Sequence, residues 1–503
     1  MLGLFGKKSD HPMADLKAAQ QLLADLPKDD SVKALHELAG WIESVRTDTA
    51  IRLDTRFAVL RLLDETARPH ELKVLHEYFA ADALSPVHEK RLWKELNEYY
   101  AALGEAYHGV LAGCHDGEKG AAALKTLRQL IVVRGINAVA GRLKCAAAHY
   151  VPVAAGLWSQ LSEYYAEAEV QDFLDDPIEL YPGSGELAVD HQLAGVLLWW
   201  ASGTGTLKPQ QIHLSERLAA HVCGGLSMGG EPGEDALFVL DLSQSTPPAR
   251  YNGETAAHPN LRFVGLGSAR QRLDALTASL EKGAIPPELD LGGRYPVDVV
   301  LDMAKRLSAT LLSAPPASRT VRRSVAVNLA MLKGMSEVMA VAAGGNAETG
   351  PGRVWVAEDI SATGFRCILD VAQGAGIMVG SLVGFRPENV QHWGVGVVRR
   401  LRRGEQNKLD VGVEILTNRM AGVALREEGG PQGAPGMLGI WLGTVEPAAT
   451  DARVLVKPGA VAEGRLLRMR LGSKAYMLMP QGVAEKGDEF DLLRCQAVER
   501  SAD

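Results

Sequence analysis

Cysteine is scarce in this chain and poorly placed for pairing. The five (Cys114, Cys145, Cys223, Cys367 and Cys495) are odd in number, scattered and never spaced Cys-x-x-Cys. That excludes a disulfide framework, argues against a zinc–thiolate site and fits a reducing compartment. Long apolar runs are missing too. Stretches such as LAGVLLWWA at 193–201 fall well short of the ~20 residues that cross a bilayer. The opening MLGLFGKKSD turns charged too soon for a signal-peptide core. Nor is there an excess of positive charge: 53 Lys and Arg stand against 61 Asp and Glu, a formal net charge of −8. A general nucleic-acid binder carries a strongly basic domain, although a local basic pocket is compatible with this balance. The expectation is a cytoplasmic protein that neither spans a membrane nor binds nucleic acid.

Catalytic signatures are absent as well. The sequence holds no nucleophile elbow, phosphate-binding loop or H-E-x-x-H helix. His115-Asp116 is a lone pair without the further ligands that a metal phosphohydrolase needs. Asp241-x-Ser243-x-Ser245 follows a strand-like run, but Pro247 and Pro248 block the helix that a metal site of this pattern requires. Gly265-x-Gly267 has Arg270 where a dinucleotide fingerprint needs its third glycine, so Ser268 and Gln271 are read as a capping box. No catalytic residue, metal or cofactor is expected, and the chain is not read as an enzyme.

What is present is a globular composition, 47% hydrophobic and 23% charged over 503 residues, enough for about three domains. Residues 1–175 carry helical periodicity. SVKALHELAGWIESV at 31–45 aligns Leu35, Leu38, Ile42 and Val45 on one stripe, with Ser31 placed to cap it. Tyr99–Tyr100 and Tyr164–Tyr165 are read as core aromatics. Residues 176–312 form a mixed, mainly helical domain with short strands at 236–242 and 261–266. LLSAPPAS at 311–318 reads as a linker. Beyond it the texture changes to SVAVNLAML, RVWVAEDI, FRCILDV, SLVGFR, WGVGVVRRL and DVGVEIL, separated by turn residues. Short strands at close spacing predict a small barrel or sandwich over 313–425, with a helical insert, GMSEVMAVAA, at 334–343. The glycine-rich loop at 426–436 opens a small β-rich unit over 426–503, with its best strands at 467–480 and 488–498.

Two features bear on ligand chemistry. RTVRR at 319–323 places Arg319, Arg322 and Arg323 between the linker and the first barrel strand. Guanidinium groups pair bidentately with phosphate and with the O6/N7 edge of guanine. EDISATGF then supplies Asp359-x-Ser361-x-x-Gly364 at a strand end. A carboxylate there can accept from guanine N–H groups, a hydroxyl can donate or accept beside it, and glycine lets backbone approach closely. Arg399, Arg400, Arg402 and Arg403 follow on a later strand; alternation sends Arg400 and Arg402 to one face.

The order of RTVRR, a first strand, EDISATGF and a later strand ending GVEIL resembles the PilZ domain, a receptor module for cyclic di-GMP, over about residues 319–416. The resemblance implies a six- or seven-stranded barrel that binds cyclic di-GMP on its outer face. Arg319, Arg322 and Arg323 would grip phosphate and guanine, Asp359 and Ser361 would hold a guanine edge, and Gly364 would leave room for it. The insert at 334–350 lengthens the gap between the two halves, and no helix follows Leu416. The question is whether both halves still face one ligand. The predicted whole is an α+β multidomain chain: a long, mainly α-helical N-terminal region, a PilZ-like β-barrel and a β-rich C-terminal extension. It is expected to couple cyclic di-GMP binding to the helical region and a protein partner. The alternative is a PilZ-like adaptor that binds proteins without nucleotide.

Overall fold

The computed structural model describes residues 10–80, 84–312, 323–347, 350–404, 406–429, 436–443, 452–462 and 464–500. The chain forms two compact units. One runs to residue 315 apart from two short stretches; the second takes in those stretches, 150–152 and 205–208, with the described residues beyond 315.

The first unit opens with six helices: α1 (Leu16–Leu23), α2 (Ser31–Thr47), α3 (Leu53–Ala80), α4 (Pro86–His115), α5 (Arg128–Ala148) and α6 (Ala155–Val170). The predicted stripe of α2 is buried, but its cap is Asp30 rather than Ser31; the Asp30 carboxylate accepts from the Lys33 N–H. Ser31 is already helical and its place as cap is taken by the stronger acceptor one residue earlier. Tyr99, Tyr100, Tyr164 and Tyr165 are all buried, as core residues should be. Behind them come a two-stranded hairpin, β1 (Ile178–Glu179) and β2 (Glu186–Leu187), and helices α7 (Val189–Ala201) and α8 (Pro209–Val222). A four-stranded sheet follows, made of β3 (Ser227–Gly229), β4 (Ala236–Asp241), β5 (Ala249–Arg250) and β6 (Leu261–Gly265). The unit closes with α9 (Ala269–Glu281) and α10 (Val297–Leu312). The Asp241 carboxylate accepts from both the N–H and the hydroxyl of Ser243, a local turn. The expected capping box at α9 does not form: the Ser268 side chain makes no capping bond. Instead the Gly267 N–H, at φ +47°, donates to Asp235 at 2.7 Å.

The second unit holds two closed six-stranded barrels. The first comprises β7 (Arg323–Lys333), β8 (Val354–Ile360), β9 (Gly364–Asp370), β10 (Leu382–Pro387), β11 (Gly394–Arg403) and β12 (Lys408–Thr417), matching the six predicted runs. Alternation aims Trp355, Phe365, Cys367, Phe385, Val411 and Val413 into one core. Tyr150, at φ +55°, joins that core from far upstream, and its carbonyl accepts from the Arg403 N–H at 2.6 Å. The second barrel comprises β13 (Met420–Glu427), β14 (Met437–Leu442), β15 (Ala452–Val456), β16 (Leu467–Leu471), β17 (Lys474–Lys486) and β18 (Asp491–Arg500) around Trp441, Leu425 and Leu478. Helix α11 (Gly334–Ala342) leaves the end of β7 and packs Met335, Val338 and Met339 with Ile440, Leu442, Phe490 and Leu492 of the second barrel. Gly422 is required at this junction, because a Cβ there would lie 2.2 Å from the Ala342 carbonyl oxygen.

Candidate functional site

The backbone that follows the arginine motif pairs with the Asp359 motif at one end of the β7–β8 ladder. Arg323, the first residue of β7, opposes Ile360, and Ser324 opposes Asp359. The insert leaves from the other end, where Ala330 opposes Val354. Six residues of β8 separate the two ends, about 20 Å along a strand. Helix α11 packs against both barrels at that far end, so the inserted sequence leaves the pairing of Arg323 with Ile360 and of Ser324 with Asp359 in place. Arg319 and Arg322 lie outside the described residues.

Strand β8 carries a bulge between Ala357 and Asp359. Trp355 and Ala357 face the core, and Ile360 packs against it. The inward alternation therefore slips by one, as bulges allow, and Asp359 comes to the outside. There its carboxylate lies 3.8 Å from Nη1 of Arg366. Arg366 stands between the inward Phe365 and Cys367 of β9, so it too faces outward. Its Nε donates to both carboxylate oxygens of Asp410 on β12, at 3.0 and 3.1 Å. This hydrogen bond, with the nearby charge of Asp359, raises the Arg366 pKa above its ordinary value despite partial desolvation.

Ser361 and Gly364 are engaged in the turn itself. The Ser361 hydroxyl and N–H both donate to the Gly364 carbonyl, at 3.1 and 2.8 Å. A Cβ on Gly364 would sit 2.6 Å from the Val413 carbonyl oxygen of β12, so the ladder needs glycine here. On the same outward face, Arg400 and Arg402 of β11 are exposed opposite Gly412 and Asp410 of β12. Arg399 sits at a bulge between Val398 and Arg400. Its Nε donates to Glu414 at 2.7 Å, and its terminal nitrogens grip Glu485 of the second barrel at 2.6 and 2.7 Å. Burial opposes its charge, but the Glu485 bonds outweigh that and hold its pKa above the usual arginine value.

The face thus runs from Asp359 through Arg366 and Asp410 to Arg402 and Arg400, with carboxylates and guanidinium groups alternating as far as Arg402. Sequence reading missed Arg366 and Asp410. The available signal was strand alternation: in GFRCILD the arginine is the polar residue between two core positions, two past the motif glycine.

The helical unit carries polar groups of another kind. Asp64 is fully buried and accepts from Tyr99, Tyr107 and Tyr181 at 3.2, 2.5 and 2.9 Å, with Arg134 at 3.3 Å. Burial pushes its pKa up while Arg134 opposes the rise. Lys144 donates to His213 Nδ1 at 2.7 Å and to Glu216 at 2.6 Å, while His213 Nε2 meets the Leu291 carbonyl at 2.9 Å. Those partners assign the proton to Nε2. Burial, with Lys144 beside it, lowers the His213 pKa to about 3. Among the described residues, one group could approach a cation: His36, Glu95 and Glu98, with ligand atoms within 4.8 Å of one another. His36 is hydrogen-bonded to Glu95 at 2.8 Å, and Glu98 pairs with Lys94 at 3.6 Å. No helix among the described residues is long and apolar enough to cross a membrane.

Residues 17–231 match a family model described as the N-terminal domain of the cyclic-di-GMP receptor FimW. The match covers less than half of the chain, spanning α1 to α8 and the start of the four-stranded sheet. No curated protein and no solved structure matches the chain.

Proposed function

We propose that the chain is a cyclic di-GMP receptor, with its first barrel acting as a PilZ-type binding module. The observation that carries this reading is the register of β7 against β8, which sets Ser324 opposite Asp359 and so brings the end of the arginine arm to the Asp-x-Ser turn. The match of residues 17–231 to a cyclic-di-GMP receptor family supports it from a region that contains neither motif. In this reading Arg319, Arg322 and Arg323 bind phosphate and guanine, since guanidinium forks fit both. Asp359 accepts from the guanine N1–H and N2–H groups, and Ser361 and Gly364 shape the turn that presents it. The protein binds and relays rather than catalyses. In the sequence the arm joins the helical unit to the barrel, so ligand bound there couples the two and is read out by a protein partner of the helical region.

Calorimetric titration of full-length, nucleotide-free protein tests this. Cyclic di-GMP is expected to give a saturable signal that Arg323→Ala and Asp359→Ala abolish, with GTP and cyclic di-AMP silent or weak. Absence of heat at high ligand concentration overturns the reading in favour of an adaptor that binds protein alone.

A further inference from the structure

Beyond the motif residues, we propose that Arg366 is the residue that makes the site specific for guanine, reading O6 and N7 while Asp359 reads N1–H and N2–H of the same base. The inference rests on the receptor reading above and adds a contact that the two motifs do not contain.

Three observations lead to it. First, Arg366 and Asp359 lie side by side on the outward face, with Nη1 3.8 Å from Oδ2. Guanine presents its donors N2–H and N1–H and its acceptors O6 and N7 consecutively along one edge. A carboxylate and a guanidinium set next to each other match that order, and an arginine on O6/N7 is the commonest specific contact to guanine. Second, the guanidinium is aimed. Asp410 takes Nε and one side of Nη2, which leaves Nη1, beside Asp359, and the far-side hydrogen of Nη2 as the fork that can meet a base. An arginine so held loses less rotamer freedom on binding than a free one. Third, the neighbourhood limits which side chain can act. Of the β11 arginines, Arg399 is held by Glu414 and Glu485, whereas Arg400 and Arg402 stand two strands away from β9, across β12.

Adenine reverses the pattern. Its N6 amino group is a donor where guanine has O6, and its N1 is an acceptor facing the carboxylate. Arg366 then keeps only N7, and Asp359 is left against a lone pair. A site that loses its paired polar contacts discriminates strongly.

The test uses full-length protein freed of nucleotide, with three probes: cyclic di-GMP, cyclic di-AMP, and a cyclic di-GMP analogue with both guanines replaced by 7-deazaguanine, which lacks only the N7 acceptor. Wild type is expected to bind the deaza analogue more weakly than cyclic di-GMP. Arg366→Ala is expected to weaken cyclic di-GMP by about 10–100-fold, the scale of one bidentate arginine–guanine contact. It should then bind the analogue and the parent equally, because the N7 partner is gone. Arg366→Lys keeps the charge beside Asp410 but not the fork, and should lose the preference over cyclic di-AMP while its ligand-free melting temperature stays at the wild-type value. A merely structural role for Arg366 would leave the deaza penalty in place in both variants. That result, or wild-type affinity and selectivity in both variants, overturns this inference while the receptor reading stands. Failure of wild type to bind cyclic di-GMP overturns both.

Discussion

The two barrels follow the same path. In each, the six strands, lettered a to f in chain order, close antiparallel as a-b-c-f-e-d. Each centres on a buried tryptophan, Trp355 in one and Trp441 in the other. Their outer faces differ. Strand c of the first barrel carries Arg366, braced by Asp410 and facing Asp359. Strand c of the second carries Arg453, which donates to the Leu416 carbonyl at 3.2 Å. Residues 420–500 contain no Asp-x-Ser-x-x-Gly. A barrel of this order is therefore a scaffold that two different outer faces can use. In the proposed reading, ligand chemistry resides in a few outward side chains and one bulge, which is where a fold stops implying a function.

The sharpest way to break the comparison is to empty each core in turn. Trp355→Ala and Trp441→Ala should each cost about 3–5 kcal/mol, measured by chemical denaturation of the full chain. Only Trp355→Ala should also lower affinity for cyclic di-GMP; equal loss in both would mean that the second barrel takes part in binding. Next is the shared core. Phe490 is fully buried among residues of both barrels. Phe490→Ala should cost about 3 kcal/mol and split one cooperative transition of this unit into two, which calorimetry would detect; a single sharp transition counts against a shared core.

The helical unit provides a contrast in pH response. His213 titrates at about 3 in the folded chain and near 6.5 when unfolded. The unfolded state therefore binds the proton first, and stability falls as pH drops below about 6.5, by about 2 kcal/mol at pH 5. The loss continues toward pH 3. His213→Gln should flatten the curve over that range; an unchanged slope would assign the acid sensitivity to other groups. The smallest effect is expected at Arg399, whose pair with Glu485 is partly exposed. A double-mutant cycle on Arg399 and Glu485 should give a coupling of about 1 kcal/mol that weakens in high salt.

Much of the first barrel was legible because alternating Val, Ile and Leu runs broken by Gly and Asn encode both strand and turn. The second was harder. Its strands β13 and β14 flank the glycine-rich stretch at 429–436, and β13 spans the 425/426 boundary drawn from it. Helices were readable from periodicity, but caps such as Asp30 depend on one residue's backbone angles. The clamp motif was readable as residue types in order. Arg366 was not, because an arginine at an outward strand position resembles ordinary solvated surface until the partner strand supplies Asp410. The buried Asp64 group was hidden for a related reason: its tyrosines come from α4 and from the loop containing Tyr181, and only folding brings them to one carboxylate.

Tyr150 bears on the portability of the first barrel. Although it follows α5 in the chain, it fills part of the first barrel's core and its carbonyl satisfies the Arg403 N–H. A gene segment that begins at β7 would encode all six strands and yet leave that core one aromatic ring short. A barrel moved without the upstream tyrosine is therefore expected to be less stable than the same barrel in the full chain, so its portability depends on a residue that the sequence places before the helical region has ended.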